Sequence, residues 1–461
     1  MNNVISNLKK IFNNNKKLSL NMIGIIIIRI LIMITSYISL PLYINFFVDE
    51  NILGLWYTIL SIFTLFLLFD FGIGNSLRNS LVPIFEEKDY ECAKKYISTS
   101  YILVIGITFV FFLVGFIVID KINWNDVFNI SDNVISSSDL LKVVKIMFYG
   151  ILLQMLFKNI LSILYALQNS FLPNLLNLLI NVCQLIYVLF INRSIGGNGL
   201  VEFSLVYVLS NILYLIIISL IVFKKRLKTC LPNYKYFNID LSKKILLVGF
   251  SFFFVQIASS LLNSTNEFLI SYYYTPENVV EYQIYNKVFL IIGTFYYLLL
   301  IPVWSAVTDA KAKRKYSWLK KLCNILKFSI LFACILQFLI IIILQILFNI
   351  WLGDNSIAVN YFYAFVFAIS GSIFIINSYV TTIANGLGKL KTQLIYYSIA
   401  LILRLPITYL ANLLCDSWIA VIVSYVILMI PFVIIQNKVI DKEINILNKE
   451  ENNDRENREN N

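Results

Sequence analysis

The chain has 461 residues, 59% of them hydrophobic and 14% charged, and a formal net charge of +11. Charged residues are little more than half the ~25% of ordinary globular domains, while about 270 apolar side chains fill roughly a dozen bilayer spans of ~20 residues each. Those proportions exclude a soluble enzyme, a secreted disulfide scaffold and a nucleic-acid-binding domain.

Residues 1–17 are rich in Asn and Lys and read as a retained cytoplasmic tail, because the apolar run that follows is too long for a signal-peptide core and no A-x-A-like site follows it. Apolar runs then mark six segments at 18–44, 52–76, 98–119, 143–166, 171–191 and 200–223. Residues 224–245 (KKRLKTCLPNYKYFNIDLSKKI) form the longest inner connection and read as a basic linker. Six further segments follow at 246–271, 282–305, 322–348, 359–384, 393–412 and 417–437. The last residues, 438–461, are polar and lack aromatics from Asp441 onward (DKEINILNKEENNDRENRENN), a composition that predicts disorder. The expected fold is an all-α polytopic membrane protein with twelve transmembrane helices in two six-helix bundles, 18–223 and 246–437.

Charge sets the expected orientation. With the amino terminus inside, 28 of the 37 Lys and Arg fall on the inner side and four outside, Lys121, Lys142, Lys145 and Arg193. The positive-inside rule therefore predicts both termini in the cytoplasm. It also accounts for the net charge, since the cations lie in several separate inner loops facing anionic inner-leaflet lipid, whereas a nucleic-acid footprint is one clustered basic face. Weak internal similarity relates the halves: Glu50-Asn51 matches Glu277-Asn278, and Lys88 and Lys94 match Lys315 and Lys321, all at an offset of 227. An even number of spans per half makes these parallel repeats, as in transporters with a site at the repeat interface; chance likeness between apolar helices is the competing reading.

Six scattered cysteines without a C-x-x-C pair, and no histidine at all, argue against disulfides, structural zinc, catalytic triads and histidine proton switches. The longest outer loop, about twenty residues from Asp120, is too small for a catalytic fold, and no loop matches G-x-x-x-x-G-K-[ST]. No cofactor is expected, and energy comes from an ion gradient or from the substrate's own gradient.

The informative residues are charges inside the bilayer, each of which costs ~2.5–3.5 kcal/mol on insertion scales and turns to the bundle interior. Arg29 lies eleven residues into the first segment, a rise of ~16 Å, near the middle of a ~30 Å core. Arg404 sits at similar depth in the eleventh, two residues before the kink-favouring Pro406. Each guanidinium either meets an anionic substrate group or closes a structural ion pair. Asp70, in LLFDFGIGNSLRN, either orients a basic side chain or carries a coupling cation, while Arg78 receives an anionic head group; alternatively the two form a helix-end pair. Glu267 and Lys287 fall at one depth on the seventh and eighth segments and pair there, as a gate or as a static contact. Lys158 and Lys327 reach the inner surface and read as structural. Clusters such as Tyr272-Tyr273-Tyr274 fit the interfacial aromatic belt.

The segment GLWYTILSIFTLFLLFDFGIGNSLRNSL from Gly54, the midspan arginine upstream of it, the following KDYECAKKY and the later ANGLGKLKTQL from Ala384 together resemble the polysaccharide biosynthesis proteins. These are the O-antigen and capsular repeat-unit flippases of the multidrug, oligosaccharidyl-lipid and polysaccharide exporter superfamily. The resemblance implies two six-helix bundles around a cavity lined by segments 1, 2, 7 and 8, and a non-enzymatic, monomeric carrier in the bacterial cytoplasmic membrane. It implies an undecaprenyl-pyrophosphate-linked oligosaccharide as cargo, with a polysaccharide polymerase and a chain-length protein as partners. Of the intramembrane charges, Arg29, Asp70, Arg78, Glu267 and Lys287 fall on those four segments. A drug antiporter of the same architecture, and a polytopic polymerase or glycosyltransferase, are the alternatives.

Overall fold

Long apolar runs with few breakers satisfy their backbone polar groups internally by coiling. The computed structural model, which describes residues 16–459 except 168, 170, 192–196, 313 and 390, contains fifteen α-helices among the described residues. They form two compact units that divide at Ile257.

The first unit holds α1 (Lys16–Phe47), α2 (Glu50–Phe66), α3 (Ile73–Glu86), α4 (Tyr90–Val118), the short α5 (Trp124–Phe128), α6 (Ser137–Ala166), α7 (Phe171–Phe190), α8 (Gly197–Lys225) and the first part of α9 (Ile239–Ser264). The second holds the rest of α9, then α10 (Asn266–Tyr273), α11 (Pro276–Ala312), α12 (Tyr316–Leu352), α13 (Tyr361–Leu387), α14 (Lys391–Cys415) and α15 (Ile419–Glu459). Side-chain caps start several of them: Asp49, Asp89 and Ser136 accept the backbone N–H of Asn51, Cys92 and Asp139. Glu50 and Glu277 both stand in the first turn of a helix, and Lys88 and Lys315 both precede one, so the offset of 227 joins equivalent places.

Among the described residues, ten helices are long and apolar enough to cross a membrane. Each of the twelve expected segments falls on helix, but two are broken. The second divides into α2 and α3 across residues 67–72, and the seventh into α9 and α10 at Thr265. Hydroxyls inside the spans fold back onto their own helix, as with Thr58 to the Gly54 carbonyl and Ser372 to that of Ala368, both four residues back. Side chains such as Phe116 on α4 and Ile350 on α12 stay exposed, as lipid-facing positions must.

The basic connection is structured rather than slack. Leu227 and Cys230 are buried in the first unit, and the backbone N–H groups of Asn233 and Asn238 donate to Ser98 Oγ at 3.1 Å and Thr99 Oγ1 at 3.2 Å. The Lys94 ammonium stands 4.1 Å from the ring centre of Tyr236.

The end of the chain differs from the expectation of disorder, because α15 runs on to Glu459. Ile440, Ile444 and Leu447 recur at helical spacing, the first two being buried in the core of the second unit with Leu447 packed against it. Lys327 meets both carboxylate oxygens of Asp441 at 2.6 Å, and Lys389 meets Glu443 at 3.1 Å. Average polarity hid a three-residue apolar stripe and two acids with cationic partners.

Candidate functional site

Arg29 is half-buried on α1, ~27 Å along the helix from Phe47 at 1.5 Å per residue. The helix packs chiefly on α7, whose sequence FLPNLLNLLINVCQLIYVLF carries no charged residue. That helix offers Arg29 no counter-charge.

The break in the second segment is built from both sides. The α2 end leaves carbonyls without intrahelical donors, and Lys158 of α6 donates to one of them, Leu67 O, at 2.9 Å. On the other side Asp70 Oδ1 accepts the N–H of Gly72 at 2.8 Å, closing an Asx turn ahead of α3. Phe71 and Gly72 take left-handed φ values of 50° and 71°. A Cβ on Gly72 would meet the Gly249 carbonyl oxygen at 2.1 Å, and one on Gly249 would meet the Phe71 oxygen at 2.7 Å, so backbone runs against backbone where α9 crosses the break. Phe71 stacks on Phe250 and meets Phe253 at 5.0 Å between ring centres. One turn on, Asn75 donates to Gln256 at 3.2 Å.

Asp70 and Arg78 therefore do not pair. Asp70 makes no ion pair among the described residues, and the exposed Arg78 lies over the ring of Tyr165, 4.9 Å from its centre. The sequence pointed to Asp70 and its glycines, but Lys158 read as a cation reaching the inner surface; its carbonyl partner is 91 residues away and leaves no local signal.

In the second unit, Glu267 Oε1 accepts from Gln283 Nε2 at 2.9 Å, one turn before the half-buried Lys287 on α11. Arg404 is 3% exposed, and its Nη2 donates to Asn266 Oδ1 at 2.5 Å. Asn266 in turn donates to the Tyr282 hydroxyl at 3.2 Å, and the Arg404 guanidinium lies 5.7 Å from the ring centre of Tyr425. Asn266, which sequence reading passed over, precedes Glu267 at the break between α9 and α10, where an amide in an apolar run was the available signal. Asn266, Tyr282 and Tyr425 also line a cavity of about 170 Å³ with Asn286 and Ser370.

Comparison with known proteins agrees with this architecture. An inward-facing multidrug resistance MATE family transporter of the MOP superfamily superposes with a TM-score of 0.70 at 14% identity, covering 92% of this chain and 99% of that one. The lipid II flippase MurJ, in an inward closed conformation, superposes with a TM-score of 0.70 at 17% identity, covering 93% and 89%. The Vibrio cholerae MATE transporter VcmN in its bent form gives 0.56 at 13% identity over 94% and 98%. No curated protein sequence matches. The family described as polysaccharide biosynthesis protein matches residues 18–307, which is more than half of the chain. A chain with this polytopic helical fold and a match over residues 18–307 belongs to the polysaccharide biosynthesis protein family.

Proposed function

We propose that the protein is a flippase that carries an undecaprenyl-pyrophosphate-linked oligosaccharide from the inner to the outer leaflet of the bacterial cytoplasmic membrane, for O-antigen or capsule assembly. The observation that carries this reading is Arg29, a half-buried cation within the long apolar helix α1 whose packing helix supplies no counter-charge. A pyrophosphate loses much of its hydration on entering the bilayer, and fixed guanidiniums offset that loss with charge-assisted hydrogen bonds. Arg78, exposed three turns from the inner connection, is a first contact for the head group arriving from the inner leaflet. Alternating exposure of these cations moves the head group while the lipid tail stays in the bilayer. No covalent step is required, so the chain acts as a carrier and not as a polymerase or glycosyltransferase.

The test is deletion of the gene followed by identification of the accumulating lipid-linked intermediate, with complementation by Arg29→Lys and Arg29→Gln. The reading expects lipid-linked oligosaccharide to accumulate, partial rescue by the lysine variant and none by the glutamine variant at equal membrane abundance. Full rescue by Arg29→Gln removes the phosphate role of that residue, and raised drug resistance on overproduction favours the antiporter alternative.

A further inference from the structure

The basic connection, residues 224–244, is fixed to the first unit and yet turns apolar side chains outward. Leu231, Tyr234, Phe237 and Ile239 are all exposed, Tyr234 by 76%. Slackness does not account for them. Leu227 and Cys230 anchor one end in the core, and the N–H groups of Asn233 and Asn238 hold the rest to Ser98 and Thr99 of α4. The surrounding charge has one sign, because the stretch holds seven Lys and Arg, all exposed, against the single acid Asp240.

The neighbouring helices set the depth of the connection. α4 carries its last cation at Lys95, and from Tyr96 to Val118 it is free of charge over ~35 Å at 1.5 Å per residue, close to the ~30 Å of a hydrocarbon core. Thr99 stands one turn inside that stretch, so the backbone bonded to it runs where head groups meet acyl chains. α8 ends at the same boundary. Its exposed Leu213, Ile217 and Leu220 recur at helical spacing and give way one turn later to the exposed Lys224, as a lipid-facing stripe does where a lysine reaches the surface.

Aromatic and aliphatic side chains at that depth, among exposed cations, have the composition of segments that lie in an anionic membrane surface. A soluble protein is stopped at the head groups, above the level at which these side chains stand. The excess of Lys and Arg assigns the surface to the inner leaflet.

We propose that residues 224–244 form a docking platform for anionic phospholipid, with Tyr234 and Phe237 inserted at head-group depth and Lys228, Lys235 and Lys243 set against the phosphates. The platform is independent of Arg29 and stands whether or not the cargo is a glycolipid.

The test places benzoylphenylalanine at Tyr234 or at Phe237 of the full-length protein, in nanodiscs of equal phosphatidylcholine and phosphatidylglycerol, and identifies the photoadducts by mass. The same probe at the exposed Glu87, in the turn before α4, is the reference. The expected result is phospholipid adducts at both aromatic positions and few at Glu87. Phosphatidylglycerol should be enriched in them about fivefold, the contribution of one cation near an anionic surface. That enrichment should disappear at ~1 M salt, where screening acts within ~3 Å, and in the combined variant Lys228→Gln, Lys235→Gln, Lys243→Gln, whose exposed positions leave folding intact. Absence of lipid adducts, equal labelling from Glu87, equal capture of the two lipids, enrichment that survives in the combined variant, or capture of a soluble protein in place of lipid in whole cells would each overturn the proposal.

Discussion

Replacing Gly249 by alanine tests the backbone crossing at the broken second segment. In a helix interior that change is worth ~1 kcal/mol of stabilisation from intrinsic propensity. The added methyl, however, would stand 2.7 Å from the Phe71 carbonyl oxygen and 3.1 Å from the Gly72 carbonyl carbon, both backbone atoms. That backbone has little freedom to retreat, being fixed by the Asp70 turn on one side and by Lys158 at Leu67 on the other. Overpacking of this kind costs ~1–3 kcal/mol, which cancels or reverses the propensity gain. Gly106 provides the reference, because it lies in α4 of the same unit and a Cβ there meets nothing within 4 Å. Equilibrium unfolding in mixed detergent should therefore find Gly106→Ala more stable than the natural protein and Gly249→Ala less stable than Gly106→Ala by ~1–3 kcal/mol. If the two alanine variants gain stability equally, the close crossing does not exist in the folded protein.

Asp70→Ala should lower stability by ~1 kcal/mol through loss of the turn cap while Asp70→Asn keeps most of it, as read by the same unfolding titration. Lys158→Met strands the Leu67 carbonyl and should cost ~1–3 kcal/mol; an unchanged midpoint would mean that the lysine contributes nothing to the break. A double-mutant cycle on Lys327→Met and Asp441→Asn should return a coupling of ~0.5–1 kcal/mol, because both side chains are partly exposed. Ile444→Asp, which places a charge in the core of the second unit, should destabilise by more than either member of that pair, measured by thermal aggregation in detergent.

How far the sequence disclosed this structure depends on the range of each interaction. The all-helical, polytopic character was visible because the helical segments carry their own apolar runs, and the breaker residues Gly72 and Gly74 marked the right neighbourhood in the second segment. The place of the break, several residues earlier, was not visible, because it depends on Lys158 and Gly249, which approach from helices far along the chain. Arg29 and Arg404 drew notice equally as midspan charges, yet their surroundings differ. One packs on an uncharged helix, and the other is enclosed by Asn266, Tyr282 and Tyr425. The pairing of Asp70 with Arg78, one of the two alternatives for those residues, is absent among the described residues, where the N–H of Gly72 donates to the carboxylate two residues away. The continuation of the final helix past residue 437 was missed because the composition there is polar on average while its spacing is not.

That helix has a mechanical corollary. Forty-one residues at 1.5 Å each make a rod of ~62 Å, about twice the ~30 Å hydrocarbon thickness. Whichever leaflet it leaves, a substantial length must protrude into the aqueous phase as a stiff mast, clamped at its base by Ile440 and Ile444. A protein gripping the far tip would hold a lever arm on the second unit, and torque applied there would be delivered to the membrane-embedded helices without slack.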